Sequence, residues 1–198
     1  MPEVQLPMQT GPVKPPDLPD TLALLAQTPA TLHALLRPLP AVWTESNEGA
    51  SHDGKATWSA REVIAHLVDC EHTNWLPRAR SIRESNGAIR PFPPFVRRVG
   101  SEDDKTKPLA YLLDAFAEIR IANLAEVESW RLTACDLEGQ AIHPVFGPVT
   151  LGQLLATWAT HDLTHLHQIT RTLAHQQRQA VGPWIQYLGV LHCNGHSE

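Results

Sequence analysis

The sequence has few cysteines, no long apolar run and no excess of basic residues. Its 198 residues include three cysteines, Cys70, Cys135 and Cys193, and none of them belongs to a C-x-x-C pair. This spacing argues against a disulfide framework and a thiolate zinc site, and it favours a reducing compartment. Because no stretch approaches the ~20 apolar residues of a membrane helix, we expect no membrane partner.

The charge balance is acidic, with 16 lysines and arginines, 21 aspartates and glutamates, and a net charge of -5. Arg97-Arg98 is the one basic doublet, whereas nucleic-acid-binding proteins show clustered basic surfaces. We therefore expect no nucleic-acid partner. An apolar content of 42% is ordinary for a globular protein, and the length suffices for one domain with a real core.

The N-terminal segment has neither the basic start nor the apolar stretch of a signal peptide, so we expect a cytoplasmic protein. It carries six prolines instead, at positions 2, 7, 12, 15, 16 and 19. This composition is typical of an extended, polyproline-like arm. We predict an arm over residues 1–20, lying across the surface or a neighbouring subunit, and a single domain over residues 21–198.

The periodicity of apolar residues predicts an all-α fold without convincing pairs of strands. Four long helical segments are expected, with a short extra C-terminal helix, at about residues 21–36, 59–84, 108–130, 150–174 and 183–191. Capping boxes, Ser59 with Glu62 and Thr150 with Gln153, open the second and fourth segments. These features predict a four-helix bundle, whose core can hold a metal site. The long loop over residues 86–107 is expected to cover a site or an interface.

Two histidines of the fourth segment, His161 and His165, lie one turn apart on the same helix face. His66 lies in the apolar pattern of the second segment. Polar groups in an apolar stripe cost stability unless they are satisfied, and a metal ion would satisfy several imidazoles at once. Three imidazoles favour zinc, nickel, iron or copper, and they leave open the positions that catalytic sites need.

Two other interpretations of this histidine pair were weighed. A chain with 11 histidines can contain an H-x-x-x-H pair by chance, and buried histidines often only form hydrogen bonds. The pair also approximates the H-E-x-x-H motif of zinc proteases, but Asp162 replaces the glutamate. No Asp or Glu lies between His165 and Glu198 to serve as a further ligand, so a metalloprotease is not favoured.

Several neighbouring residues are candidates for catalysis or binding, and most of them could instead have an ordinary structural role. Asp69 could orient a ligand or accept a proton, or form an ordinary salt bridge. Gln168 could form a hydrogen bond near the cavity. Arg120 could bind an anionic substrate group, or pair with Asp114 or Glu118. Cys70, one turn after His66, could be a fourth ligand or nucleophile, although a buried inert thiol is the more common case.

These motifs together resemble the DinB/YfiT-like family. Residues 58–69 (WSAREVIAHLVD) are similar to the start of its second helix, and residues 161–169 (HDLTHLHQI) to its fourth-helix signature. Residues 116–120 (FAEIR) and 143–147 (HPVFG) also resemble family segments. The similarity covers about residues 20–190 and excludes the arm.

The resemblance implies a four-helix bundle with a divalent metal ion, usually nickel or zinc, held by His66, His161 and His165. It also implies a homodimer. Some family members are S-transferases that use a low-molecular-weight thiol, and others are hydrolases. The expected function is therefore metal-dependent thiol transfer to, or hydrolysis of, a small molecule.

Two alternatives remain open. The first is a non-catalytic bundle with a structural metal, which binds a small ligand or a partner protein. The second, a DNA-damage protein, follows only from the family name, and the acidic charge balance opposes it.

Overall fold

Helices form most of the computed structural model, which describes residues 17–49, 56–96, 98–102 and 104–193. Up to position 16 the predicted arm lies outside the described residues, as does Arg97 of the basic doublet. The helices are α1 (Leu18–Leu36), α2 (Ala41–Thr44), α3 (Ala60–Thr73), α4 (Trp75–Arg83), α5 (Leu109–Ser129), α6 (Ala134–Leu137) and α7 (Leu151–His175). Short 3-10 helices cover Asp104–Thr106, Gly182–Tyr187 and Gly189–Leu191, the last two in place of the predicted C-terminal helix.

The four long helices α1, α3, α5 and α7 pack as a bundle, in which α1 and α3 each contact both α5 and α7. Helix α4 follows α3 and also packs against α7. The predicted four-helix bundle is therefore confirmed. Nowhere in the described part of the chain does a helix combine the length and the apolar character needed to cross a membrane.

The predicted capping boxes are present at the starts of α3 and α7. The Ser59 amide donates to the Glu62 carboxylate at 2.8 Å, and the Glu62 amide donates back to the Ser59 hydroxyl at 3.3 Å. Thr150 and Gln153 form the same pair of bonds before α7. These caps satisfy amides that have no partner within the helix. They fix where the two histidine-bearing helices begin.

Helix α1 begins at Leu18, three residues before the predicted start. The Asp17 side chain accepts a hydrogen bond from the Asp20 amide at 3.1 Å, which caps the new first turn. Pro19 fits there because a first-turn residue needs no amide donor. The helix also runs through Pro29 without a break. The proline-rich composition therefore conceals the first helical residues.

The predicted second helix is divided at Asn74. Asn74 has φ -115° and ψ -70°, outside helical values, so α3 ends and α4 begins there. Pro77 then lies in the first turn of α4, where proline is tolerated. The division starts a new helical face at Trp75 and Arg78.

A small sheet contradicts the expectation of no strand pairs. Its strands are β1 (Arg90–Pro91), β2 (Gln140–His143) and β3 (Gly147–Thr150). β2 and β3 form an antiparallel hairpin that pairs His143 with Gly147, and β1 is parallel to β2. Strands of two to four residues are too short for a period-2 pattern to show in the sequence. The hairpin immediately precedes α7, the helix that carries two of the histidines.

The apolar core consists of two clusters at different levels of the bundle. One includes Leu25 of α1, Leu124 of α5 and Trp158 of α7. The other includes Leu32 of α1 and Phe116 of α5. On α5 and α7 buried polar residues lie between the two clusters, among them Arg120, Asp162 and His165, and Glu71 of α3 is bonded to Arg120. The bundle therefore contains a polar layer between two apolar halves.

Arg120 is the centre of this polar layer and is only 1% exposed. Its guanidinium donates to Asp162 of α7 at 2.6 Å, to Glu71 of α3 at 2.7 Å and to the Leu25 carbonyl of α1 at 2.9 Å. Since Arg120 itself belongs to α5, one side chain joins all four long helices. Arg120 does not pair with Asp114 or Glu118, and Asp114 pairs with Arg37 instead.

Glu71 also accepts hydrogen bonds from Asn123 and from the Trp158 indole, each at 2.8 Å. Burial raises the pKa of Glu71, whereas the nearby charge of Arg120 lowers it. The charged carboxylate therefore depends on its donors, because an ion is costly to bury without partners.

The Arg120→Met variant tests this dependence. The substitution keeps an apolar stem but leaves the carboxylates of Glu71 and Asp162 buried without their cation. We expect the free energy of unfolding to fall by about 3–5 kcal/mol, measured by urea denaturation. Arg80→Met, which removes the exposed partner of Glu126, should cost less than about 1 kcal/mol. Equal small losses in both variants would contradict the role of Arg120.

Candidate metal centre

Three histidines from two helices meet beside the polar layer. His161 and His165 of α7 approach with their Nε2 atoms 3.0 Å apart. The ring of His66, from α3, lies with its centroid 4.9 Å from that of His165 and 5.6 Å from that of His161. His66 and His165 are buried, whereas His161 is half-buried. The structure thus brings together the three residues that the sequence predicts as ligands.

Hydrogen bonds at Nδ1 orient two of these rings. His66 Nδ1 lies 2.8 Å from the Arg98 carbonyl oxygen, and His165 Nδ1 lies 2.8 Å from Gln168 Oε1. Both partners are acceptors, so each Nδ1 carries the hydrogen and Nε2 keeps the lone pair that binds a metal. This is the usual outer-shell arrangement of metal-binding histidines. Gln168 is therefore a positioning residue for His165.

The donor set fits a divalent metal ion. Ligand atoms of His66, Cys70 and His161 lie within 4.8 Å of one another. The Nε2 atoms of His161 and His165 are close enough for their lone pairs to repel unless a proton or a cation lies between them. Imidazole donors suit zinc and nickel, and not the oxygen-seeking magnesium or calcium.

Asp69 acts on the site indirectly. Its carboxylate accepts two hydrogen bonds from the Arg98 guanidinium, at 2.7 and 3.0 Å, while the Arg98 carbonyl holds His66. The loop crosses α3 so closely that a Cβ at Gly100 would lie 2.9 Å from the Ala65 carbonyl oxygen. Gly100 also has φ +118°, which favours glycine. Asp69 therefore forms the salt bridge that sequence analysis considered, and that bridge fixes the loop that orients His66.

Cys70 lies next to the histidines, with its Sγ 3.4 Å from His66 Nε2. It is fully buried. Burial raises the pKa of the Cys70 thiol well above its ordinary value, and the charges of Asp69 and Glu71 raise it further. Without a bound metal ion the thiol is therefore protonated, and a protonated thiol is a poor nucleophile.

The histidines lie at one wall of an open cavity of about 310 Å³. Six apolar or aromatic residues line it: Trp75, Phe92, Phe95, Phe146, Val149 and Leu154. Its remaining polar lining is Asn74, Arg78, His143, Gln153 and Thr157. A concave, mainly apolar site with a few polar groups is typical of small-molecule binding. Arg120 is not part of this lining, because its guanidinium is occupied within the polar layer.

His143 ends strand β2 at the hairpin turn, beside the cavity. Its Nδ1 accepts hydrogen bonds from the amides of Val145 and Phe146, at 3.2 and 3.3 Å, and its ring stacks on Phe146. It therefore shapes the hairpin turn and also lines the cavity. Burial lowers the pKa of His143, and the charge of Arg78 lowers it further. The neutral ring thus carries its hydrogen on Nε2.

Arg78 is the cavity residue that sequence analysis missed. It lies one turn after Trp75, so both belong to the same face of α4. That face points into the cavity only because the helix is interrupted at Asn74. Periodicity in the sequence carries no signal for such an interruption.

The fold agrees with comparisons to known proteins. The sequence model of the DinB superfamily matches residues 24–169, so the chain belongs to the DinB superfamily. YfiT from Bacillus subtilis, described as a probable metal-dependent hydrolase with an unusual four-helix bundle topology, superposes with a TM-score of 0.66. The match covers 86% of this chain and 93% of YfiT at 19% identity, and it shows a shared fold.

A curated relative is the protein named "Putative metal-dependent hydrolase" from Oceanobacillus iheyensis. It is 26% identical over 119 residues, which are 57% of this chain. The match spans 63% of the relative, which is less than two thirds of its length.

Thiol titration of the native full-length chain tests the state of Cys70. Cys135 and Cys193 are exposed, so a disulfide reagent at pH 8 should label them quickly. Cys70 should react only after denaturation, because burial keeps it protonated and inaccessible. The Cys70→Ala variant should show the same rapid labelling as the unmodified chain. If a thiol is labelled rapidly in the native wild type and is not labelled in Cys70→Ala, the expectation is contradicted.

Proposed function

We propose that this protein is a metal-dependent enzyme, a hydrolase or a thiol S-transferase, which acts on a small molecule. In this proposal His66, His161 and His165 hold a nickel or zinc ion. The observation that carries it is the convergence of these three imidazoles on one open cavity, with two of them oriented through Nδ1. The relative from Oceanobacillus iheyensis supports the hydrolase alternative through its name.

The bound ion would supply Lewis acidity, which lowers the pKa of a water molecule or thiol that it holds. The protein residues determine how strong that effect is. Among the described residues no carboxylate lines the cavity, and Asp69, Glu71 and Asp162 are paired with arginines. Three neutral imidazoles then leave the charge of the ion undiminished.

The surrounding residues prepare the cavity for either reaction. The Arg98 carbonyl and Gln168 hold the rings of His66 and His165 in place. The aromatic walls offer an apolar surface to the body of a small molecule. A low-molecular-weight thiol is the co-substrate in the transferase alternative.

A structural metal is the second candidate, and the position of Cys70 favours it. A sulfur ligand beside three histidines would complete a closed, four-coordinate site of the structural kind. Burial raises the pKa of this thiol while no ion is bound, whereas a bound ion would hold the thiolate, so the Cys70→Ala variant is needed to separate the two kinds of site. The homodimer and the cytoplasmic location stay predictions.

Alanine substitutions at the three histidines test the ligand assignment. We expect about one metal ion per wild-type chain and a loss of most of it in His66→Ala, His161→Ala and His165→Ala, measured by elemental analysis. Turnover of an activated ester, or conjugation of a thiol to an electrophile, should fall with the metal content. His72→Ala on α3 and His167→Ala on α7 are matched controls, and both variants should keep the metal content and the turnover of the wild type. Full occupancy and unchanged turnover in the three variants would refute the assignment.

The Cys70→Ala variant separates the catalytic metal from the structural one. If the sulfur is no ligand, the variant should retain the metal content and turnover of the wild type. It should lose only the modest stability due to a small buried side chain, about 1 kcal/mol, measured by urea denaturation. Loss of the metal together with a much larger loss of stability would favour the structural site.

A further inference from the structure

Arg78 is a buried cation on the wall of the proposed active site. The residue is 8% exposed, and it lines the same cavity as the three histidines. Its neighbour on the helix face, Trp75, contacts His161 with a ring separation of 4.9 Å. Arg78 therefore presents its positive charge to whatever occupies the cavity beside the histidines.

The contacts of Arg78 leave its charge without an anionic partner. Its guanidinium lies 4.9 Å from the Phe92 ring centroid and 5.9 Å from that of Phe95, and Nη2 donates to the Pro93 carbonyl at 3.1 Å. In the described segments it forms no ion pair. Aromatic faces and one carbonyl stabilise a cation only in part.

The buried carboxylates of α3 and α7 are paired with other arginines. Asp69 binds Arg98, while Glu71 and Asp162 bind Arg120. Burial lowers the pKa of the Arg78 guanidinium, yet arginine keeps its charge in proteins. Among the described residues, the cation thus has no carboxylate of the kind that normally pairs with a buried arginine.

We infer that Arg78 binds the anionic end of the substrate, and that the substrate is a small molecule with a carboxylate group. This inference rests on the proposed function, since it names the substrate class of the same cavity. A planar carboxylate matches the two parallel donors of a guanidinium. Within the described lining there is one arginine and no lysine, which suits a single negative charge better than a phosphate dianion.

The cavity also defines the remainder of such a molecule. Its volume of about 310 Å³ is at the lower limit for small-molecule sites. Its aromatic walls, Phe92 and Phe95 next to Arg78 and Trp75 next to His161, suit a flat or apolar body. Arg78 would hold the carboxylate while the reacting bond faces the histidines.

Benzoate and its neutral isostere benzamide are suitable probes. Binding to the full-length, metal-containing protein is measured by calorimetry or ligand-observed NMR. We expect benzoate to bind at least about tenfold more tightly than benzamide, as a charge-assisted bidentate contact requires. In Arg78→Met this preference should vanish while benzamide binding is kept. Arg83→Met, on the same helix beside Trp130, should behave as the wild type.

Two results of the binding measurement would contradict the inference. A wild type without preference for benzoate, or an Arg78→Met variant that keeps it, overturns the role of Arg78. If Arg78→Met fails to fold, as judged by circular dichroism, Arg78→Lys replaces it. Lysine keeps the charge but not the paired donors, so the preference should be reduced without vanishing, and an unchanged preference is contrary evidence.

Repeating the measurement with a chelator separates this inference from the proposed function. If Arg78 binds the carboxylate, the preference for benzoate survives removal of the metal. If the preference disappears with the metal and is unaffected in Arg78→Met, the ion binds the carboxylate. That result overturns the inference and leaves the metal-dependent function intact.

Discussion

The buried guanidinium of Arg120 holds the four long helices in one register, and the positions of the three histidines follow from it. It contacts Glu71 of α3, Asp162 of α7 and the Leu25 carbonyl of α1 from its own position on α5. Glu71 and Asp162 are in the helices that carry the three histidines. The same bonds that satisfy a buried charge therefore set the spacing of α3 and α7, and so the distance between His66 and the pair on α7.

A polar layer inside a helical bundle is costly, and its members must satisfy one another. The two apolar clusters above and below it supply the burial that stabilises the bundle. In exchange, the layer excludes alternative packings in which α3 and α7 slide past each other, because a slide would separate Glu71 and Asp162 from Arg120. A metal centre that takes ligands from two helices needs such a fixed register.

Two loops complete what the helices begin. Arg98 orients His66 through its carbonyl while its guanidinium is held by Asp69, and Gly100 lets the chain pass close to α3. The β2–β3 hairpin brings His143 to the cavity, and the division of α3 and α4 brings Arg78 there. The helices therefore supply the proposed ligands, whereas the loops and helix breaks shape the space in which a substrate would bind.

The helices, the capping boxes and the common face of His161 and His165 can be read from the sequence alone, because these depend on residues three or four positions apart. His66 was added to that pair from its place in the apolar pattern of a second capped helix, and the family resemblance implied the same three residues. The partners of Arg120, one of them 95 positions away, and the bond from His66 to a carbonyl 32 positions away are visible only in the folded chain. Contacts between distant residues leave no periodic trace in a single sequence, so Arg120 resembled a substrate-binding residue and Arg78 passed unnoticed.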